Sequence, residues 1–163
     1  RSVSAQNGMA GYLDVKGAGA KVTGKSDHFV YHPAAMSALT MLTRILTTGD
    51  FSDPYLGEAA KQILLDPPAI SEDRLSVDYY YWHAATLALA MYDGPSSPRA
   101  TAALWDVWNP PLSDVVLGLQ DGTKGACTNG GWLVPDRWGA DGHGGALYAT
   151  ALCVMTLMEP APR

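Results

Sequence analysis

The chain has 163 residues, of which 47% are hydrophobic and 17% are charged. This composition is typical of a folded globular domain and excludes an intrinsically disordered chain. The net charge of −5 and the lack of any run of lysine or arginine argue against a nucleic-acid-binding surface. No apolar run reaches the length of a transmembrane helix, and two cysteines are too few for a disulfide framework.

The first 32 residues carry few helix signals. Short strand-like runs at residues 12–15 and 29–31 flank a connection rich in glycine, lysine and serine. We therefore expect an irregular arm or a loose hairpin over residues 1–32, followed by a single domain over residues 33–163. Because the chain begins at Arg1 and not at a methionine, we also expect it to be a piece of a longer protein. No compartment is predicted.

Proline marks the first two helices of the main domain. Pro33 opens a helix at a position where its missing N–H costs nothing, and Gly49 ends that helix. Asp53 and Pro54 then serve as the N-cap and the first residue of a shorter helix, which ends near residue 65.

The third and fifth helices are the most apolar. Ser76 or Asp78 caps the third, which continues to Tyr92 before a glycine. The fifth covers residues 144–158, an apolar run typical of a helix that is buried on most of its circumference.

The fourth helix has a less regular pattern. Ser97 and Pro98 predict its start, and its apolar residues then recur at helical spacing. Pro110 and Pro111 should break or kink it, with Asn109 as a new cap.

A repeat links the odd-numbered helices. Residues 36–41, 86–91 and 150–155 share small residues early and a methionine at the sixth place. More amphipathic helices lie between these three segments. This alternation of apolar and amphipathic helices indicates stacked α-hairpins, in which each repeat buries its apolar face only against its neighbours. A chance likeness among helices rich in alanine and leucine is the competing interpretation.

A glycine-rich loop joins the fourth helix to the fifth. Gln120 is followed by Gly130 and Trp132 in a Gly-x-Trp pattern, and Gly144 and Gly145 then open the last helix. This order resembles the repeat of the squalene cyclase and prenyltransferase superfamily, and above all the bacterial proteins that carry prenyltransferase/squalene oxidase repeats. In that repeat the glutamine caps a neighbouring helix and the tryptophan stacks over it. The resemblance implies an all-α fold, a curved array of α-hairpins like part of the α/α toroid of terpenoid cyclases and protein prenyltransferases.

The catalytic motifs of those enzymes are missing from the sequence. Neither the Asp-x-Asp-Asp run of the cyclases nor the Asp-x-Cys pair of the zinc-dependent prenyltransferases occurs. His143 and Cys153 resemble prenyltransferase zinc ligands locally, but on one helix they would lie about 15 Å apart, too far to share a zinc ion. Cys127 stands in a sequence unlike the Cys-Gly-Glu-Gln of complement thioester domains. We therefore predict no metal and no cofactor.

Two groups of side chains are candidates for a binding pocket. One is a polar cluster around a tryptophan in the last loop, and the other is an aromatic band on the third helix. The candidates are Asp136, Arg137, Trp138, Asp141 and His143 in the loop, and Tyr80, Trp82 and His83 on the helix. The competing structural interpretation is a loop held by aspartate-capped turns and an Arg–Asp pair, with Asp141 capping the fifth helix, and an aromatic band in the core.

The favoured hypothesis is a non-catalytic repeat domain that binds a protein partner or an apolar ligand on its concave face. One alternative is an isoprenoid-type enzyme whose acidic residues lie outside this chain, and another is a thioester-type covalent binding domain.

The first and last apolar helices are too apolar to end an array, since monomers rarely expose large apolar patches. We therefore expect the N-terminal arm to cover one end, and a second copy or the rest of a longer protein to cover the other.

Overall fold

A computed structural model describes residues 8–11, 33–72, 76–99, 101, 103–134, 136–137 and 145–159. Within these ranges it has five helices and no named strand, so the prediction of an all-α chain is confirmed for them. The helices are α1 (Pro33–Thr48), α2 (Pro54–Leu64), α3 (Tyr79–Asp93), α4 (Trp105–Gly118) and α5 (Gly145–Met158). The hairpin predicted within residues 12–32 lies outside the described residues.

Aspartate side chains begin α2 and α3, as the sequence predicts. The Asp53 carboxylate accepts a hydrogen bond from the Tyr55 N–H at 2.9 Å, and Asp78 accepts one from the Tyr81 N–H at 2.9 Å. Each bond satisfies an N–H that has no partner within its helix. Gly49 ends α1 with a φ of 62°, the left-handed conformation that glycine adopts without steric cost.

The prediction for the start of α4 is wrong. The Ser97 hydroxyl donates to a main-chain carbonyl at the end of α3, at 2.6 Å, and so closes a turn instead of capping a helix. α4 begins only at Trp105, where the Asp93 carboxylate accepts hydrogen bonds from the Thr101 hydroxyl and, at 2.8 Å, from the Leu104 N–H. Because Asp93 is the last residue of α3, a side chain of the preceding helix sets the start of α4.

α4 also continues through Pro110 and Pro111, against the prediction of a break with Asn109 as a new cap. The two prolines lack the N–H groups that would bond to the carbonyls of Asp106 and Val107, four residues earlier. Asp106 and Val107 are exposed, so water can hydrate these carbonyls. The helix persists because this defect faces solvent.

α3 lies at the centre of the helical array and contacts each of the other four helices. α1 and α5 both pack on α3, whereas α2 packs chiefly on α1, and α4 packs on α3. The apolar helices α1, α3 and α5 therefore form a row, with the more amphipathic helices beside it. None of the described helices has both the length and the apolar character needed to span a bilayer.

The segment of residues 8–11 lies against α1 and α2. The Ala10 N–H donates to the buried Ser37 hydroxyl of α1 at 3.2 Å. Gly8 has a φ of 79° and approaches the main chain of Glu58 in α2 so closely that a Cβ atom would overlap it. This part of the arm therefore packs against both α1 and α2.

Candidate functional site

A buried polar cluster forms where the start of α3, residues 136–137 and α5 meet. Asp78 is 1% exposed and Asp136 is 4% exposed. The main-chain N–H of Arg137 donates to the Val77 carbonyl at 3.0 Å. The side-chain Nε of Arg137 lies 3.7 Å from Asp78 Oδ2. Asp136 is also close enough to Tyr148 of α5 to raise the pKa of its hydroxyl. The cluster thus ties the last loop to two helices.

Burial controls ionisation around Asp136. Burial first, and then the negative charge of Asp136, raises the pKa of the Cys153 thiol to about 12. The same two causes raise the pKa of the Tyr148 hydroxyl above its usual range. Both groups therefore remain protonated at neutral pH. Since the thiolate is the nucleophile, a buried thiol that stays protonated makes Cys153 unreactive.

The structure places only part of the predicted loop site. Asp136 and Arg137 lie at the start of α3, and Arg137 pairs with an aspartate there. Trp138, Asp141, His143 and Gly144 lie outside the described residues, and Gly145 is the first residue of α5. Sequence reasoning did not find Tyr148 as a member of this cluster, because its pairing with Asp136 joins a loop to a helix and has no local sequence signal.

The aromatic band of α3 divides between the core and the surface. Trp82 is 2% exposed and meets Tyr79 edge to face, with ring centroids 5.6 Å apart. Tyr80 is 45% exposed. His83 is half-buried, with its Nδ1 3.3 Å from the Thr156 hydroxyl of α5, and burial lowers the pKa of its imidazole. These side chains therefore occupy three different environments along the helix.

Trp132 holds the loop between α4 and α5. Its indole N–H donates to the Val116 carbonyl near the end of α4 at 2.6 Å, and its main-chain N–H donates to the Thr150 hydroxyl of α5 at 3.0 Å. Gln120 forms an antiparallel bridge with Trp132, and its side-chain amide donates to the Gly130 carbonyl at 2.8 Å. The glutamine thus closes its own loop and does not cap a neighbouring helix through this bond.

A small cavity of about 50 Å³ opens beside the polar cluster. Its lining includes Asp66, Tyr81, Trp82 and Arg137. A cavity of this size holds a few water molecules, whereas drug-sized ligands occupy roughly 300–1,000 Å³. Among the described residues, no group of three His, Cys, Asp or Glu side chains is arranged to hold a metal ion.

α5 buries one side and exposes the other. The buried side consists of Ala149, Leu152, Cys153 and Thr156. The exposed side, which we call the α5 face, consists of Leu147, Ala151, Val154, Met155 and Met158. Helical periodicity places these five positions on one stripe, opposite the buried side. Every residue of α5 is uncharged, so the α5 face is apolar along its whole length.

The sequence and the structure were compared with known proteins. No protein-family model matches the chain, and neither a curated protein nor a solved structure matches it.

Proposed function

We propose that the chain is a non-catalytic helical repeat domain, resembling part of an α/α toroid, that binds a protein partner through the α5 face. The exposure of that face carries the proposal. Leu147 is 78% exposed and Met158 is 66% exposed, at opposite ends of an uncharged helix. Contiguous exposed apolar surface of this kind marks interaction sites. Each large apolar side chain contributes about 1.5–3 kcal/mol when a partner buries it fully.

A repeated local arrangement supports the toroid-like part of the proposal. Gly8, with a φ of 79°, lies two residues before an N–H that donates to the Ser37 hydroxyl of α1. Gly130, with a φ of 88°, lies two residues before an N–H that donates to the Thr150 hydroxyl of α5. In both places a glycine-led segment is tied to a hydroxyl in the second turn of an apolar helix. Repeats of one structural unit show such equivalent contacts.

The row of apolar helices favours a helical partner. α3 is covered on its flanks by α1 and α5, whereas α5 has its buried side on α3 and its other side exposed. A helix with an apolar stripe would continue the row by packing on the α5 face as α5 packs on α3. An apolar small molecule fits less well, because such ligands bind in concave pockets and the α5 face is one side of a single helix.

Two buried carboxylates, those of Asp78 and Asp93, have structural roles. Asp78 caps α3 and pairs with Arg137, while Asp93 holds the start of α4. These contacts give no specific support to an isoprenoid-type enzyme. Cys127 is exposed in a loop, and nothing around it favours a thioester.

Val154→Arg tests the proposal, with Val107→Arg as its matched control. Both valines are exposed on helices, by 42% and 60%, but only Val154 lies on the α5 face. Immobilised chain is incubated with an extract of the source cells, and captured proteins are identified, purified and titrated against it. We expect a protein that binds the original chain and Val107→Arg with a micromolar or lower Kd but fails to bind Val154→Arg. At chain concentrations too low for self-association, both variants should unfold within about 0.5 kcal/mol of the original chain, since the substituted sites are at the surface.

Two results would contradict this function. The first is the lack of any purified protein whose binding depends on position 154. The second is a loss of about 2 kcal/mol or more of stability in Val154→Arg alone, measured at a chain concentration too low for self-association, which would mean that the α5 face packs within the fold. The original chain and Val107→Arg could instead each carry a bound apolar small molecule that is absent from Val154→Arg. That result would favour the ligand alternative.

A further inference from the structure

We infer that the partner of the α5 face is a second copy of this chain, packed as an antiparallel α5–α5 pair about a two-fold axis. This inference rests on the proposed protein-binding role of that face. Three features of the described residues carry it: the pattern of side chains along the face, the absence of charge on α5 and the coverage of the opposite end of the row.

Four of the five residues of the α5 face form a self-complementary pattern. Large apolar side chains, Leu147 and Met158, stand at its two ends, and the smaller Ala151 and Val154 stand between them. A two-fold axis that passes between positions 152 and 153 places Leu147 against Met158 of the partner copy and Ala151 against Val154 of the partner copy. The fifth residue, Met155, lies at one edge of the stripe, where the same axis places it beside Thr150 of the partner copy.

The absence of charge on α5 removes an electrostatic obstacle to self-association. The chain carries a net charge of −5, so two copies repel each other at most surfaces. Gly145–Met158 contains no ionisable acid or base other than Tyr148 and Cys153, and the raised pKa of each keeps it neutral. An α5–α5 contact therefore brings no like charges into direct opposition along the helices.

The two ends of the row of apolar helices differ. Residues 8–11 lie against α1 and α2, with Gly8 close to the Glu58 main chain and Ala10 bonded to Ser37. The α5 end exposes its apolar stripe. A chain with one open end closes as a pair, since an isologous contact uses the same patch on both copies and leaves no second patch for growth.

Light scattering after size exclusion measures the assembly of the original chain, Val154→Arg and Val107→Arg. We expect the original chain and Val107→Arg to form a particle of twice the 17.3 kDa chain mass at micromolar concentration. Val154→Arg should weaken association by at least about 100-fold, because two guanidinium groups would be buried without partners near the axis. Circular dichroism confirms that each variant is folded. A dimer that Val154→Arg leaves intact has its interface elsewhere and overturns the inference.

Thiol labelling separates failure of this inference from failure of the proposed function. Met158→Cys in a Cys127→Ser background places a reporter on the α5 face, while the buried Cys153 reacts slowly. We expect labelling of the reporter to slow at least about 10-fold as the concentration rises through the dimerisation range. A monomer with fast labelling overturns the second copy as occupant but leaves the face open for another protein. A monomer with slow labelling means that the chain covers the face itself, and overturns both.

Discussion

Trp132 joins three parts of the chain through one side chain and one peptide group. It is 2% exposed, its indole bonds to α4 and its main chain bonds to α5. Trp132 is therefore packed within the fold and not displayed to solvent. Trp138, a second tryptophan of the same loop, lies outside the described part of the chain.

Substitution of Trp132 tests its contribution to stability. Trp132→Ala should lower the free energy of unfolding by about 3–5 kcal/mol, the usual range for a buried aromatic side chain. Trp132→Phe keeps most of the buried area but leaves the Val116 carbonyl without its indole donor, so it should cost less than the alanine variant. Denaturant titration measures both. A loss below about 1 kcal/mol for Trp132→Ala would contradict a packing role.

His83 makes stability depend on pH. Burial lowers the pKa of its imidazole below the ordinary value near 6.5, so the unfolded chain binds a proton more readily than the folded one. The stabilisation is therefore present above about pH 6.5 and is lost as the pH falls through the folded pKa. We expect the free energy of unfolding, from denaturant titration at each pH, to decrease as the pH falls below about 6.5, and the decrease to be smaller in His83→Gln. An identical slope in both proteins would assign the effect to other groups.

Among the helices, the α3–α4 connection depends on a side chain at the end of one helix. Asp93 is 1% exposed and accepts hydrogen bonds from Thr101 and from the Leu104 N–H at the start of α4. This arrangement supplies the cap that the sequence before Trp105 lacks, since Leu104 has no capping side chain. It also explains why the predicted cap at Ser97 lies too early in the chain.

Asp93→Ala should therefore destabilise the fold by about 1–3 kcal/mol, because it leaves the Leu104 N–H without its acceptor. Asp106→Ala is the control, since Asp106 is an exposed acid in the first turn of the same helix and should cost no more than about 0.5–1 kcal/mol. Both are measured by thermal or denaturant unfolding. Equal losses in the two variants would argue that Asp93 acts only through its charge near the helix start.

For the molecule as a whole, the proposed pairing depends on how the two ends of the row of apolar helices are covered. If residues 8–11 close the α1 end, removing that closure should open a second apolar surface. A chain with two open and different ends associates head to tail and does not stop at a pair.

Gly8→Ala tests this closure. The new Cβ would overlap the Glu58 main chain, and alanine disfavours the φ of 79°, so the segment should leave α2. We expect light scattering to show species larger than a dimer that grow with concentration. Gly49→Ala is the control, because it shares a positive φ of 62° but has open space around its Cβ position. If the Gly8→Ala and Gly49→Ala variants form particles of equal size, the closure of the α1 end by residues 8–11 is contradicted.

The sequence alone determined most helix ends. Pro33, Gly49, Asp53 and Asp78 each act on their own helix through contacts a few residues away, and those contacts follow from residue type and spacing. The all-α class and the apolar character of α5 follow from periodicity in the same way. The cyclase-like array remains a proposal, because helical periodicity alone does not specify how the helices are arranged.

The tertiary structure decided which distant groups meet. The start of α4 depends on Asp93 of another helix, and α4 continues through Pro110 and Pro111, whose missing N–H groups leave unbonded carbonyls on two exposed residues. The polar cluster likewise brings Asp136 to Tyr148 and Arg137 to the cap of α3. Which side of α5 is free was also settled only by packing, since an apolar helix without a polar stripe carries no sequence signal for the side that it buries.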